Sequence, residues 1–413
     1  MSDNGVALET VSPETLIERA IGLRDLLRSQ QDEAEELGHY TPEVHEALLE
    51  AGLYHLLTPK RYGGIEADVA TFLKAVVEIS RGDVGSGWCY CLGHAHALTT
   101  ASLWEKQTQD EVFNNDKGYF RASHSLQPGG IAKKVDGGYL VTGTSPYQSG
   151  VPYASHAIMN VIVEGSEGQG PGGFPIFLQI ILPEGDYEIV DDWGGDATIG
   201  LRSSGSNSVR VDGVLVPEHR AIEVDWLAET ERVTSPGAVL HDNPMYLGVA
   251  QTFLQAELAA IVIGAARGAL DEYEEICRSK TSALPPRGPR IEDPQHQRDF
   301  GVAKIKTDAA EAILMHTAEL YAKRNEEAVR GGIPFTRKMD IENYGMLLQA
   351  AEMASEAVEL LYKSAGSSAA KKGNRFERLL RDVAMTRTHT SMQYGALAQR
   401  IGAVNFDLIT SIF

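Results

Sequence analysis

The sequence predicts an α+β fold in which helical segments flank a block of strands. Apolar residues recur at helical spacing from residue 12 towards 118, and again from about 246 to 401. Between them, from 119 to 230, short strand-like runs alternate with turns rich in Gly, Pro and Asp. Composition agrees: 413 residues, 43% hydrophobic and 23% charged, are ordinary globular material for two or three domains. The segments are an N-terminal helical domain over 1–118, a β-domain over 119–230 forming a barrel or sandwich, and a C-terminal helical domain over 231–413.

The elements follow in order. Ser12-Pro13-Glu14 is an N-cap, a proline at the first helical position and an acid in the first turn. Leu16, Ile17, Ala20, Leu23 and Leu27 continue at helical spacing. Thr41-Pro42-Glu43 opens a second helix by the same devices, and Gly52 ends it. A third helix follows Asp68, and a fourth, largely apolar, runs from about Ser86 to Leu103. Gly137-Gly138 before Tyr139-Leu140-Val141-Thr142 reads as a hairpin turn and strand. Further strands are expected at His156 to Val163, Ile176 to Leu182, Tyr187 to Val190 and Ser208 to Val216. Helices then cover Phe253 to Leu270 and about 299–330, 339–365 and 376–401, with a polar, Pro-rich loop over 281–298. Their alanine content suggests tight packing, including packing between subunits.

Charge and cysteine content exclude several function classes. Thirty-seven Lys+Arg against 57 Asp+Glu leave a formal charge of −20, unsuited to nucleic acid or an anionic membrane. Three cysteines make no disulfide scaffold, and Cys89 and Cys91 in their apolar setting read as buried thiols. The N-terminus has no basic region followed by an apolar one, and no uninterrupted apolar run reaches a membrane span. A cytoplasmic protein is expected.

Four stretches carry a resemblance. They are AGLYHLLTPKRYGG ending at Gly64, ASHSLQPGGIAKKVDGGYLVTGTSPYQSG from Ala122 to Gly150, LRSSGSNSVRVDGVLVPEHR from Leu201 to Arg220, and Ala365-Gly366-Ser367-Ser368 followed by Arg378 to Asp382. Together they resemble the acyl-CoA dehydrogenase superfamily, whose fold is an N-terminal helical domain, a β-domain and a C-terminal four-helix bundle. Dehydrogenases of this family usually place a glutamate base eight residues after the R-D aspartate. Counting from Asp382 gives Thr390, whose hydroxyl has no useful basicity near neutrality, and His389 stands beside it. The segment RDVAMTRTHTSM is similar instead to the two-component flavin-dependent monooxygenase branch, which carries a histidine here.

That resemblance implies a function. A separate flavin reductase supplies reduced flavin, FMNH2 or FADH2. O2 then forms a C4a-hydroperoxyflavin that hydroxylates a small aromatic, phenolic substrate, and the oxygenase is expected to be a homotetramer. Such chemistry needs water excluded, donors at the flavin edge and a group that handles the phenol proton. His389 is expected as base or orienting donor, and Ser149 as the donor at flavin N5. Tyr147, Gln148 and Gly150 would complete the flavin turn, with Gly366, Ser367 and Ser368 at its diphosphate, from a neighbouring subunit or as plain helix-terminus residues. In the preceding strand, alternation gives Ser123 and Ser125 one face and His124 the other, and the serines are expected to face substrate. His94 and His96 lie on different helix faces, so one of them points into the site; His94 is favoured. That spacing also argues against a helical metal site. Two alternatives stand: a dehydrogenase or oxidase with its base displaced to Glu257, and a flavin-free structural relative.

Overall fold

A computed structural model of the chain describes residues 11–224, 231–282, 285, 287–409 and 411–412. The expected domain boundary at 230/231 borders residues 225–230 and so lies outside the described residues, as does the start of the N-terminal segment, 1–10. Short helices α1 (Pro13–Gly22), α2 (Arg24–Ser29), α3 (Gln31–Leu37) and α4 (Pro42–Glu50) open the chain. Their expected caps are in place: the Ser12 and Thr41 side chains accept from the N–H groups of Thr15 and Val44. α5 (Val69–Gly82) starts on Asp68, whose carboxylate accepts from Thr71 N at 2.7 Å. The helix expected from Ser86 to Leu103 is two, α6 (Val84–His94) and α7 (His96–Leu103), and α8 (Lys106–Phe113) follows.

Seven strands form the middle: β1 (Ala122–Val135), β2 (Gly138–Ser145), β3 (His156–Val163), β4 (Phe177–Pro183), β5 (Glu188–Ile189), β6 (Val209–Pro217) and β7 (Ala221–Glu223). Gly137 makes the β1–β2 turn at φ 80°. The strands join one sheet in the order β5-β6-β2-β1-β3-β4-β7, with β1 and β3 parallel. The strands enclose a core of their own, with residues of β1, β2, β3, β4 and β6 buried against one another, as expected of a barrel or sandwich. β1 links the two halves. It is 14 residues long, and its register with β3 shifts between Ser125 and Pro128 and again before Ile131. One long, irregular strand spans what two separate sheets would otherwise divide.

The C-terminal part contains α9 (Pro236–His241), α10 (Gln251–Ser279), α11 (Pro294–Gly331), α12 (Arg337–Ala365), α13 (Arg375–Thr386) and α14 (Tyr394–Asn405). α10 is long and apolar enough to cross a membrane by composition, but 89% of its apolar window is buried inside the protein. It is the core helix against which α5, α11 and α12 pack. The helix expected over 376–401 is broken between α13 and α14. There the Thr386 and Thr388 hydroxyls bond back to the carbonyls of Val383 and Met385, competing with helix propagation.

Two hydrophobic cores result. One joins the helices and takes Ala122, Ile158 and Ile181 from the near face of the sheet. The other lies on the far face and contains Ala157, Met159, Val161 and Ile180. This division decides which side chains of β1 can meet the helical domains.

Candidate active site

Ser149 lies in the turn after β2, between Tyr147 (φ 56°) and Gly150 (φ 78°). A side chain at residue 150 would stand 2.6 Å from the carbonyl oxygen of Cys89 and 2.7 Å from Gly93 N, so glycine lets this turn press on α6. The Ser149 hydroxyl accepts from Trp88 Nε1 at 3.0 Å and lies 2.8 Å from Ser206 Oγ, which is 2.7 Å from Ser204 Oγ. The His389 ring meets Trp88 edge-on, with centroids 5.7 Å apart. Four elements therefore converge: α6, the turn after β2, the segment before β6, and the α13–α14 turn.

That segment before β6 is anchored by buried carboxyls. Leu201, at φ 52°, donates its N–H to Asp382 Oδ1 at 2.7 Å, and Ser203 donates to Asp83 Oδ2 at 2.9 Å. Burial, reinforced by the neighbouring Asp83, pushes the Asp382 carboxyl up to about 8. Arg381 adds bonds to Glu35, Glu377 and the Ile199 carbonyl. The R-D pair is thus scaffolding for the serine segment.

Hydrogen-bond donors define the histidine tautomers. A backbone N–H can only donate, so Ser391 N, 3.2 Å from His389 Nδ1, requires a lone pair on that nitrogen. Burial pushes His389 down to about 4, so near neutrality the ring is neutral and carries its proton on Nε2. His96 is the reverse case. Its Nδ1 lies 2.8 Å from the Ala122 carbonyl, which can only accept, so the proton is on Nδ1 and Nε2 is an acceptor. His124 stands edge-on to His96 at 5.2 Å. Its Nε2 is 3.0 Å from Gln179 Nε2, which also donates to Asn160 Oδ1, and Asn160 Nδ2 donates to the carbonyls of Ser125 and Leu126. The relay fixes His124 as an acceptor at Nε2 and a donor at Nδ1, and burial pushes this ring down to about 3.

Several expected site residues lie elsewhere. His94 is wholly enclosed in the helical core among Tyr54, Phe72 and Tyr90, where its Nε2 accepts from Leu57 N at 3.3 Å. His94 thus faces the helical core, against the expectation that favoured it, and His96 takes the side towards the sheet. Ser123 and Ser125 pair in register with Ala157 and Met159 of the far core, whereas His124 pairs with Ile158 of the near one. The expectation for this strand is therefore reversed: the serines face the sheet's own core and His124 faces the helices. Gln148 is internal, since its amide accepts from Ser123 and donates to Ser145 and the Ile158 carbonyl. Those donors are spent on the sheet, not free for a flavin. Tyr147 is 58% exposed and packs edge-on against Trp193.

Gly366, Ser367 and Ser368 close the other end of the bundle, where Ser368 accepts from Lys280. The His389 turn meets the opposite end of α10 through Met392 and Gln255. Gln255 and Lys280 lie 25 positions apart along α10 and its C-cap, or about 37 Å at 1.5 Å per residue. Within one chain the two segments do not share a site. Glu257 is wholly enclosed in α10 with no partner for Oε1, and burial holds its carboxyl well above the usual range. A carboxyl pushed upward by burial is a poorer match to a base poised near neutrality, which weighs against the displaced-base alternative.

Sequence reasoning missed Trp88, Ser204, Ser206 and His124. The two serines stand inside the LRSSGSNS motif, so their signal was present; no local pattern distinguishes Trp88 from a core tryptophan. The residues suit a flavin. Trp88 fills one lone pair of Ser149, and where Ser206 donates to Ser149 the Ser149 proton is available for a ring nitrogen; the missing side chain at Gly150 gives the turn a close approach.

Comparison with known proteins follows the same line. Family profiles described as acyl-CoA dehydrogenase, N-terminal domain, and acyl-CoA dehydrogenase, C-terminal domain, match residues 23–109 and 256–394. The flavin-dependent monooxygenase oxygenase subunit HsaA of Rhodococcus jostii is 30% identical over 91% of this chain and 94% of its own length. The oxygenase component of p-hydroxyphenylacetate 3-hydroxylase from Acinetobacter baumannii is 26% identical over 95% of this chain and 89% of its own. The crystal structure of 3-HSA hydroxylase from Rhodococcus sp. RHA1 superimposes with a TM-score of 0.83 at 28% identity, covering 96% of this chain and 98% of that one. The chain belongs to the acyl-CoA dehydrogenase family, in its branch of flavin-dependent monooxygenases that serve as the oxygenase component of a two-component system.

Proposed function

We propose that this oxygenase receives reduced flavin from a separate reductase and hydroxylates a small aromatic substrate bearing a hydroxyl group. The observation that carries the reading is the contiguous set His389, Trp88, Ser149, Ser206 and Ser204, which joins donors from four elements at the seam between sheet and helices. Reduced flavin, when bound, activates O2 for transfer of one oxygen atom to the substrate. Ser149 would hold the flavin edge through its hydroxyl proton.

The tautomers divide the remaining work. His96 offers a lone pair at Nε2 and so would accept a hydrogen bond from the substrate hydroxyl, raising the electron density of its ring. His389 offers a proton at Nε2 and would orient the oxygen being transferred, which favours the donor half of its expected role over the base. His124 adds a second donor beside His96. Replacement of the usual glutamate by Thr390, together with the enclosed Glu257, favours oxygen insertion over thioester dehydrogenation.

A homotetramer is proposed on two grounds. Gly366–Ser368 lies at the opposite end of α10 from the His389 turn, so a flavin contact there would be made to a neighbour's flavin. Large apolar side chains are also exposed on or beside the C-terminal helices, including Ile305 and Phe406.

Anaerobic titration with FMNH2 and FADH2, followed by stopped-flow mixing with O2 and a panel of phenols, tests the reading. Tight binding of one reduced flavin and a hydroxylated product are expected. Bleaching of bound oxidised flavin by an acyl thioester, or failure to bind either reduced flavin, would overturn it.

A further inference from the structure

Arg121 stands where the sheet meets α6, immediately before β1, and is wholly enclosed at 0% exposure. Phenols and a thiol stand around it: Tyr40, Tyr54, Cys89 and Tyr119. Carbonyl oxygens and ring faces replace water around it. Nη2 donates to the carbonyls of Cys89 at 3.1 Å and Gly150 at 3.4 Å, and Nη1 to that of Tyr90 at 3.5 Å. The guanidinium lies over the Tyr54 ring, 4.6 Å from its centroid, and Tyr54 is hydrogen-bonded to Tyr40 at 2.6 Å. A Cβ on Gly93 would come within 2.3 Å of Nη2, so α6 has a glycine where the arginine passes.

The two carbonyls on Nη2 are telling. Cys89 follows Trp88, and Gly150 follows Ser149, so one nitrogen ties the backbone after each partner of the Trp88–Ser149 hydrogen bond. A planar fork can hold two chains at once, whereas a lysine ammonium at the end of a flexible stem cannot set both directions. We infer that Arg121 is a positioning residue: it clamps the Ser149 turn to α6 and thereby sets the direction of the hydroxyl offered to flavin. The inference rests on the proposed role of Ser149 at the flavin edge.

The test compares Arg121→Lys in the wild-type and Ser149→Ala backgrounds, at a temperature where far-ultraviolet circular dichroism shows every variant folded. Product formed per O2 consumed should fall about tenfold in the wild-type background, the scale of a small misplacement near the chemistry. It should fall no further when Ser149 is already alanine. The near-ultraviolet dichroism band of Trp88, identified with Trp88→Phe, should weaken in Arg121→Lys without any flavin present. Equal losses in both backgrounds, or an unchanged Trp88 band, would overturn the clamp. If Arg121→Lys does not fold, Gly93→Ala displaces the same guanidinium without removing it and should give the same pattern. A wild-type protein that binds no reduced flavin would sink the flavin reading alone, because the Trp88 band still reports on the clamp.

Discussion

At the end of α6 the fold encloses a cation, Arg121, and in the middle of α10 it encloses an acid, Glu257. The two regions treat their charges in opposite ways. Around Arg121, three carbonyls and two phenol rings face the guanidinium, although its Nε has no partner. Around Glu257, Oε1 has no partner and burial pushes the carboxyl well above the usual range. A buried ionisable group keeps its charge only where dipoles replace its hydration. In this protein the replacement was made at the seam that carries Ser149 and not at the place where a relative could keep a displaced base.

Substitutions on both sides sharpen that contrast. The largest effect is expected from Arg121→Met, which removes donors from three carbonyls and a cation from the Tyr54 face. Urea melts should show a loss of about 3 kcal/mol; a loss below about 1 kcal/mol would break the comparison. Next comes His389→Ala, with hydroxylated product per O2 down about tenfold and reduced-flavin affinity within about twofold. Wild-type yield should hold from neutral pH down to about 5, because His389 stays neutral until about 4. A decline centred on the ordinary histidine value would count against this.

Glu257→Gln tests the other side. A carboxyl whose folded value is raised binds a proton in the native state that the unfolded state has released. Wild-type stability must therefore fall as pH rises above the unfolded glutamate value, by up to about 1.4 kcal/mol per pH unit for this group. Denaturation midpoints of Glu257→Gln between pH 5 and 8 should show a shallower fall, and identical slopes would show that the carboxyl is not held neutral. The smallest effect is expected on turnover in His94→Gln, within about threefold of wild type, since His94 serves the Leu57 amide and not the site. A larger loss of kcat would return His94 to the active site.

The sequence was most legible where local chemistry decides. Ser12 and Thr41 cap helices because their side chains lie beside the amides they serve, and Gly137 turns a hairpin because few other residues accept its backbone. Motif spacing led to Ser149 and His389, which the fold does bring together through Trp88. It was least legible where two faces compete. His94 and His96 differ by a rotation that local pattern cannot anchor to a partner. Alternation separated Ser123 and Ser125 from His124 correctly but could not say which face met the helices. Sequence placed Gly366–Ser368 at a flavin without deciding between its own chain and a neighbour's; the length of α10 sets the segment far from His389 within one chain.

By itself, the sequence determined the order of helix, strand and helix, the caps and turns, the absence of a glutamate at Thr390 and the family to which these belong. Those are properties of neighbouring residues, and their energies are local. Only the tertiary structure decided the tautomers of His96, His124 and His389, the burial of Glu257 and the clamp at Arg121. Each depends on a donor, a carbonyl or an apolar wall supplied by a distant part of the chain or by the backbone of a particular turn. Where a proton rests is set by what faces it in space, and no spacing along the chain encodes that directly.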